Sequence, residues 1–311
     1  MAPSRLLSIL SVSLTAFSSV LGLRIATYDV NLRFGIDAEL VQALATGNDA
    51  QASALAQVLQ IVRPDVLLLN KFKYIPELDA SGNSRTERLF QELYLNVSQN
   101  GADPLYYPYT LSYPTSNLII DAFPISWLVL SQYPIDMASI RTFSTFLWTD
   151  MPGAFGPVVS LRLAELFADV PIQLPDDKVV NFLVDDPLPP ITIARELKNQ
   201  THDQVRFIKD YINGQTYMYD DDGQMGGLPP DTSFVIAGDL NVELFDGTNV
   251  PGAAEQLLDD PLINTELTPS STGAVVQAQL QGGANENHQG NPAYDTADFG
   301  GRFNPDQEPG N

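Results

Sequence analysis

The sequence predicts a layered α/β domain with helices outside a sheet core, on three observations. Short β-prone apolar runs alternate with stretches of helical spacing along most of the chain. The chain has 311 residues, 44% of them hydrophobic, enough for a sizeable core. Polar residues recur at the ends of the apolar runs, which is where α/β architectures gather their sites.

The elements follow in order. Leu23 to Val30 is a compact β-prone run. Asp37 to Val62 is rich in Ala, Leu and Gln, with Leu40, Val41 and Leu44, then Leu55, Val58, Leu59 and Val62, at helical spacing. Pro64-Asp65 ends that helix, and Val66 to Leu69 is a fully apolar strand. Glu87 to Leu95 reads as a helix and Trp127 to Leu130 as a strand. Val179 to Val184 is another strand, stopped by Pro187, Pro189 and Pro190. Thr201 to Ile212 is a third helix. Ser233 to Ala237 is a strand, and Gly238-Asp239-Leu240-Asn241 turns off its end. Gln279 to Asn311 is rich in Gly, Asn, Asp, Gln and Pro and reads as a polar, loop-rich tail. The expected organisation is a leader over 1–22, a domain over 23–278 and this tail over 279–311.

The leader has three parts. Arg5 gives a short positive region, Leu6 to Phe17 is apolar but too short to span a bilayer, and Ser18, Ser19 and Gly22 are small. This is the pattern of a secretory signal peptide, and no later segment reaches transmembrane length. Export makes two sequons worth naming, Asn96-Val97-Ser98 and Asn199-Gln200-Thr201. The chain has no cysteine, so stability must come from the core rather than from disulfides.

Charge restricts the partners. With 38 Asp and Glu against 16 Lys and Arg, the net charge is −22. Such a surface repels a phosphate backbone at long range, which argues against nucleic acid and leaves small phosphoesters or other extracellular ligands. A Gly-rich phosphate loop, a paired-His metalloprotease helix and a Gly-x-Ser-x-Gly elbow are all missing from the sequence. His202 lies at a polar helix start and His288 in the tail, and neither stands in a catalytic pattern. The run Asp220-Asp221-Asp222-Gly223 reads as a charged turn, since no bidentate Glu follows at calcium-loop spacing.

Three strand ends carry the candidate chemistry: Tyr28-Asp29-Val30-Asn31, Leu69-Asn70-Lys71-Phe72 and Gly238-Asp239-Leu240-Asn241. A Gly-Asp-x-Asn turn after a buried strand offers a carboxylate and a carboxamide to one cleft, a pair suited to a cation, a water or a phosphoryl oxygen.

The run Phe234-Val-Ile-Ala-Gly-Asp239-Leu-Asn241, followed by Phe245-Asp246-Gly247, resembles the signature turn of the endonuclease/exonuclease/phosphatase superfamily. Arg24-Ile-Ala-Thr-Tyr-Asp-Val30 resembles that family's first strand and Arg63-Pro-Asp-Val-Leu-Leu-Leu-Asn-Lys71 its second. Val129-Leu-Ser-Gln-Tyr-Pro-Ile135, Trp148-Thr-Asp-Met-Pro-Gly153, Tyr217-Met-Tyr-Asp-Asp-Asp-Gly223 and Gln279-Leu-Gln-Gly-Gly-Ala-Asn-Glu-Asn-His288 resemble its secreted members. The resemblance implies a four-layer α/β sandwich of two mainly antiparallel sheets flanked by helices. It also implies a phosphoesterase ancestry and Mg²⁺ or another divalent cation as cofactor.

The departures bear on activity. Asp29 stands where the family has an Asn, Lys71 where it has the metal-ligating Glu, and Asp186 where it has a catalytic His. The family closes with a strand carrying Asp-His or Asp-Tyr, and this sequence reaches Asn311 before any such strand, so the sandwich is expected to lack it. Only Asp239 and Asn241 match unchanged. Replacing Glu by Lys exchanges a hard oxygen ligand for an ammonium, and at ~4 Å the charge term is about 4 kcal/mol per pair at an effective dielectric near 20. The paired changes at 29 and 71 suggest that the Lys71 ammonium replaces the metal between Asp29 and Asp239. The first expectation is thus a secreted family member impaired in hydrolysis and acting by binding. The second is an active enzyme with a rearranged site of Asp29, Asp186, Asp239 and Asn241, holding a larger ion such as Ca²⁺ or Mn²⁺. The third is an incomplete product of a hydrolase gene.

Overall fold

The computed structural model describes residues 22–32, 37–75, 84–113, 119–120, 123–124, 126–156, 161–187, 195–242, 244–245, 249–283, 286 and 289–296. The leader over 1–21, His288 and the Asp246-Gly247 pair lie outside the described residues. Among those described, the strands are β1 (Ile25–Leu32), β2 (Val66–Phe72), β3 (Tyr109–Tyr113), β4 (Ile119–Ile120), β5 (Phe123–Pro124), β6 (Trp127–Ser131), β7 (Arg141–Leu147), β8 (Arg162–Leu174), β9 (Lys178–Asp185) and β10 (Phe234–Gly238). The helices are α1 (Asp37–Ala45), α2 (Ala50–Val62), α3 (Arg85–Phe90), α4 (Arg195–Ile212), α5 (Glu255–Leu258) and α6 (Thr272–Gln281).

The strands form two sheets of four, in the orders β1-β2-β6-β3 and β10-β9-β8-β7, and a small β4-β5 ladder. Each four-stranded sheet has one parallel pair, β1 with β2 and β9 with β10, and two antiparallel pairs. A parallel pair needs a crossover, and α1 with α2 provides one while α4 provides the other.

Period-two alternation sorts the side chains into three cores. Val66 and Leu68 of β2, with Trp127 and Val129 of β6, meet Leu166, Ala168, Val170, Phe182 and Val184 of the other sheet. Their neighbours Leu67, Leu69, Leu128 and Leu130 point the opposite way, onto Leu40, Leu44, Leu55, Leu59, Phe90 and Tyr94. On the far side, Phe143, Phe167 and Leu183 pack against Val205, Phe207, Ile208 and Tyr211 of α4. Three cores between helices, sheet, sheet and helices make the four-layer sandwich that the sequence predicts.

Several boundaries differ from expectation. The single helix expected over 37–62 is two, because Gly47 adopts φ +66° and Asp49 caps α2 by accepting from the Ala52 amide at 2.9 Å. The helix expected from Glu87 starts at Arg85 under a Ser84 cap, and its last five residues, Gln91–Leu95, form a π-helical turn. α4 begins six residues before the expected Thr201. α6 runs across the expected 278/279 boundary, and Pro292–Tyr294 form a 3₁₀ turn within the stretch read as loop. β3, β4, β5, β7 and β8 are additional strands. β8 was obscured by Asp169 and Pro171 within its run, yet Asp169 is buried and bonded to Asn181 at 2.7 and 2.8 Å and to Tyr211 Oη at 2.7 Å. Among the described residues β10 is the last strand and forms one edge of its sheet, as β1 does of the other.

The acidic run is a structural turn. Asp220 is buried against Arg141 at 2.6 Å. Asp221 accepts from the hydroxyls of Thr142, Ser144 and Thr145 and from the amides of Ser144 and Thr145. Those donors hold its carboxyl below the usual range even though burial alone would raise it.

Candidate active site: a lysine held among aspartates

β1, β2, β9 and β10 bring their C-terminal ends to one place, and each delivers one charged residue. Asp29 lies near the end of β1 and Lys71 near the end of β2; Asp186 follows β9 and Asp239 follows β10. Lys71 Nζ donates to Asp29 Oδ2 at 2.5 Å and to Asp239 Oδ2 at 2.8 Å. Two aspartates, 42 and 168 positions from the lysine, thus share its one ammonium.

The backbone aims these groups. Lys71 has φ +55°, an uncommon conformation for a residue with a Cβ. Plain alternation would point Lys71 with Leu67 and Leu69 into the helix-side core. The left-handed residue resets the phase, so Phe72 enters that core instead and the lysine turns towards the aspartates. Asn31, with φ +45°, makes the matching irregularity in β1 and donates its amide to Asp29 Oδ1 at 3.1 Å. Asn241 is the third such residue, at φ +52°. Its carboxamide donates to the carbonyls of Pro187 at 2.8 Å and Asp239 at 3.1 Å, fixing the turn. Left-handed non-glycine residues on three adjoining strand ends mark a site whose geometry is imposed by its surroundings.

Gly238 is required for close approach. It has φ +153°, and a Cβ there would lie 1.9 Å from the Asp185 carbonyl oxygen. Gly238→Ala should therefore push β10 away from β9 and cost at least ~3 kcal/mol. Chemical denaturation of the variant checks this, with a separation of Lys71 from Asp239 expected in its structure.

Beneath the surface pair lie two buried carboxyls, Asp185 and Asp186, each 2% exposed. Asp185 Oδ1 accepts from the Asp186 amide at 2.9 Å, and burial pushes its pKa up to about 7. Asp186 Oδ2 is buried and accepts no hydrogen bond among the described residues. Burial raises the Asp186 pKa well above the ordinary range; Lys71 opposes this, while Asp239, Asp29 and Asp185 add to it. For Lys71, burial pulls the ammonium pKa down, but Asp186, Asp239 and Asp29 outweigh it and leave it above the ordinary value. The lysine is a fixed cation, while the aspartates beneath it tend to hold protons. Asn70 completes the floor, accepting from Thr27 Oγ1 at 3.1 Å and donating to the Asp185 carbonyl at 3.4 Å.

Of the residues singled out in the sequence, Asp29, Lys71 and Asp239 are thus in direct contact, Asp186 lies buried within their field, and Asn241 shapes the turn. The sequence assigns no role to Asp185 or Thr27, and it names Asn70 only within the Leu69-Asn70-Lys71-Phe72 strand end. His202 lies inside α4, in a separate network where Asp203 accepts from Trp148 Nε1 at 2.6 Å and the Phe155 amide at 2.7 Å and contacts His202 Nδ1 at 3.0 Å.

A four-layer sandwich with an acidic strand-end cluster at the meeting of its two parallel pairs is the architecture of a phosphoesterase-like protein. A sequence model of the endonuclease/exonuclease/phosphatase family matches residues 26–306, and the chain belongs to that family. Solved structures similar to it include an endonuclease/exonuclease/phosphatase family protein from Leptotrichia buccalis C-1013-b, 11% identical with a TM-score of 0.41, covering 76% of this chain and 74% of that one. Another is an endonuclease/exonuclease/phosphatase from Beutenbergia cavernae DSM 12333, at 16% identity and a TM-score of 0.37. It covers 83% of this chain, which spans 53% of that protein's length. A truncated TDP2 from Caenorhabditis elegans has 15% identity and a TM-score of 0.36, with 86% and 78% covered. No curated protein matches the sequence.

The family generally uses a divalent metal, and the residues present do not fit one. The cluster holds an ammonium between the two surface carboxylates that face each other, and an ammonium supplies no lone pair to a hard cation. Among the described residues no three His, Cys, Asp or Glu side chains converge as ligands for an ion.

Proposed function

We propose that this is a secreted phosphoesterase-like protein whose hydrolytic site is closed by its own lysine and which acts by binding. The observation that carries the reading is the Lys71 ammonium bridging Asp29 and Asp239. A cation fixed by covalent attachment takes the electrostatic place of a mobile metal. Unlike Mg²⁺ it cannot activate a water or coordinate a phosphoryl oxygen through an open position. The leader at 1–22 supports export, and no helix among the described residues is long and apolar enough to cross a membrane. The net charge of −22 argues against a nucleic-acid ligand and leaves an extracellular ligand or a small phosphoester.

One observation favours a second reading, an active hydrolase with a rearranged site. Among the described residues Asp186 keeps an unpartnered buried oxygen beside the cluster, and a carboxyl that retains its proton can act as an acid. The experiment that separates the two is hydrolysis of small phosphomonoesters and phosphodiesters and of DNA, with Mg²⁺, Mn²⁺ or Ca²⁺ and with chelator. The expected result is turnover at the background rate in every case. Chelator-sensitive turnover abolished by Asp239→Ala would replace the binding reading with the hydrolytic one.

A further inference from the structure

We propose that Asn96 carries an N-linked glycan and that this glycan lies over an apolar stripe on α2. The proposal rests on the export reading above, because the modification belongs to the secretory route.

The two sequons differ in the fold. Asn96 is exposed, in the turn that ends the π-helical segment, and its carboxamide makes no hydrogen bond among the described residues. Val97 and Ser98 are exposed with it, and Ser98 Oγ donates outward to the Ala102 carbonyl at 2.7 Å. Asn199 lies within α4, half-buried, and the hydroxyl residue of its sequon, Thr201, is fully buried. A glycan is bulky and hydrophilic, so it is accommodated where the chain turns in solvent. On α4 it would grow from a half-buried position in mid-helix, followed two residues on by the fully buried Thr201.

The turn carrying Asn96 is fastened along α2. Gln60 Nε2 donates to the carbonyls of Leu95 and Val97, each at 2.8 Å, and Gln60 Oε1 accepts from the Gln99 amide at 3.0 Å. Asn100 Nδ2 donates to Gln57 Oε1 at 2.7 Å. Ile61 lies one helical turn from Gln57 and shares its side of α2. Val58, Ile61 and Val62, at i, i+3 and i+4, form an exposed apolar stripe, with Ile61 66% exposed. Val97, next to Asn96, is also exposed. The turn fastened to Gln57 and Gln60 carries Asn96 alongside this exposed stripe, so the chain growing from Asn96 is the group anchored next to it.

The chemistry is a glycosyl transfer. Asn96 Nδ2 attacks the anomeric carbon of a lipid-pyrophosphate-linked oligosaccharide. The N–C bond forms, the anomeric C–O bond breaks, the lipid pyrophosphate leaves and one amide proton is lost.

The test expresses the full chain in a eukaryotic secretory host. Protein from the medium is treated with amidase in heavy-oxygen water, so that each glycosylated Asn becomes a labelled Asp, and its peptides are mapped by mass spectrometry. Label at position 96 and none at 199 is expected, with Asn96→Gln abolishing the gel shift and Asn199→Gln leaving it unchanged. Label at 199, or unlabelled Asn96 in exported protein, overturns the assignment. A parallel chain carrying the host's own leader separates the two readings. If only this version is exported and labelled at 96, the export reading falls and the glycan stands. For the cover, enzymatic deglycosylation should raise binding of an apolar dye at least twofold, and Ile61→Gln should remove most of the gain. Unchanged dye binding overturns the covering role.

Discussion

Lys71→Ala is expected to destabilise the protein by about 2–4 kcal/mol at neutral pH. The lysine holds Asp29 and Asp239 together, and its removal strands two carboxylates above the buried Asp186. Breaking a buried ion pair by removing one partner costs about 3–5 kcal/mol, and the lower figure allows for the partial exposure of both surface aspartates. Equilibrium unfolding measures the loss, and the double variant Lys71→Met with Asp239→Asn should recover a good part of it. Lys71→Glu should be worse than Lys71→Ala in chelator, since it adds a further negative charge. It should then gain stability with millimolar Mn²⁺ or Mg²⁺, because a carboxylate restores an oxygen ligand and binding to the native state stabilises it by mass action. At roughly 2 °C per kcal/mol for a chain of this length, thermal shifts resolve these differences. A Lys71→Ala protein as stable as the parent would refute the account of the lysine as an internal counter-ion.

Mild acid should stabilise this protein. Asp185 is a carboxyl whose folded-state pKa, about 7, lies above its unfolded value, and Asp186 is shifted in the same direction. The native state therefore holds protons that the unfolded chain releases. The stability this contributes is fully present below the unfolded pKa near 4 and is lost as pH rises through about 7. Between pH 5 and pH 8 the loss from Asp185 alone is on the order of 2–3 kcal/mol, at 1.4 kcal/mol per pH unit. Asp221 works in the opposite sense, because its pKa is lowered and its contribution disappears as pH falls through that folded value. Together they place maximal stability in mildly acidic solution. Asp185→Asn keeps an oxygen to accept from the Asp186 amide while removing the ionisable group. It should raise stability at pH 8 and flatten the slope between pH 5 and 8. A melting temperature rising steadily from pH 5 to pH 8 in the parent would contradict the burial argument.

The layered architecture was legible in the sequence because it depends on local rules. Leu67 and Leu69 alternate with Val66 and Leu68, and that alternation sends two pairs into two different cores wherever the strand is placed. The break between α1 and α2 was equally local, written in Gly47 and Asp49. Helical apolar spacing recurs across 37–62, and these two residues interrupt the helix all the same. β8 was not legible, because Asp169 and Pro171 are tolerated only where Asn181, Tyr211 and a neighbouring strand meet them.

What the sequence determined by itself is the charge inventory of the site: Asp29, Lys71 and a Gly-Asp-x-Asn turn carrying Asp239, each at the end of an apolar strand. Charge alone made Lys71 the natural partner of Asp29 and Asp239. Only the tertiary structure decided that one ammonium meets both carboxylates. That contact depends on a left-handed φ at Lys71, which resets the strand's phase, and on Gly238, whose missing Cβ lets β10 close against Asp185. Only the fold, too, buried Asp185 and Asp186. Desolvation depends on every layer packed around a group, and no window of sequence contains those layers.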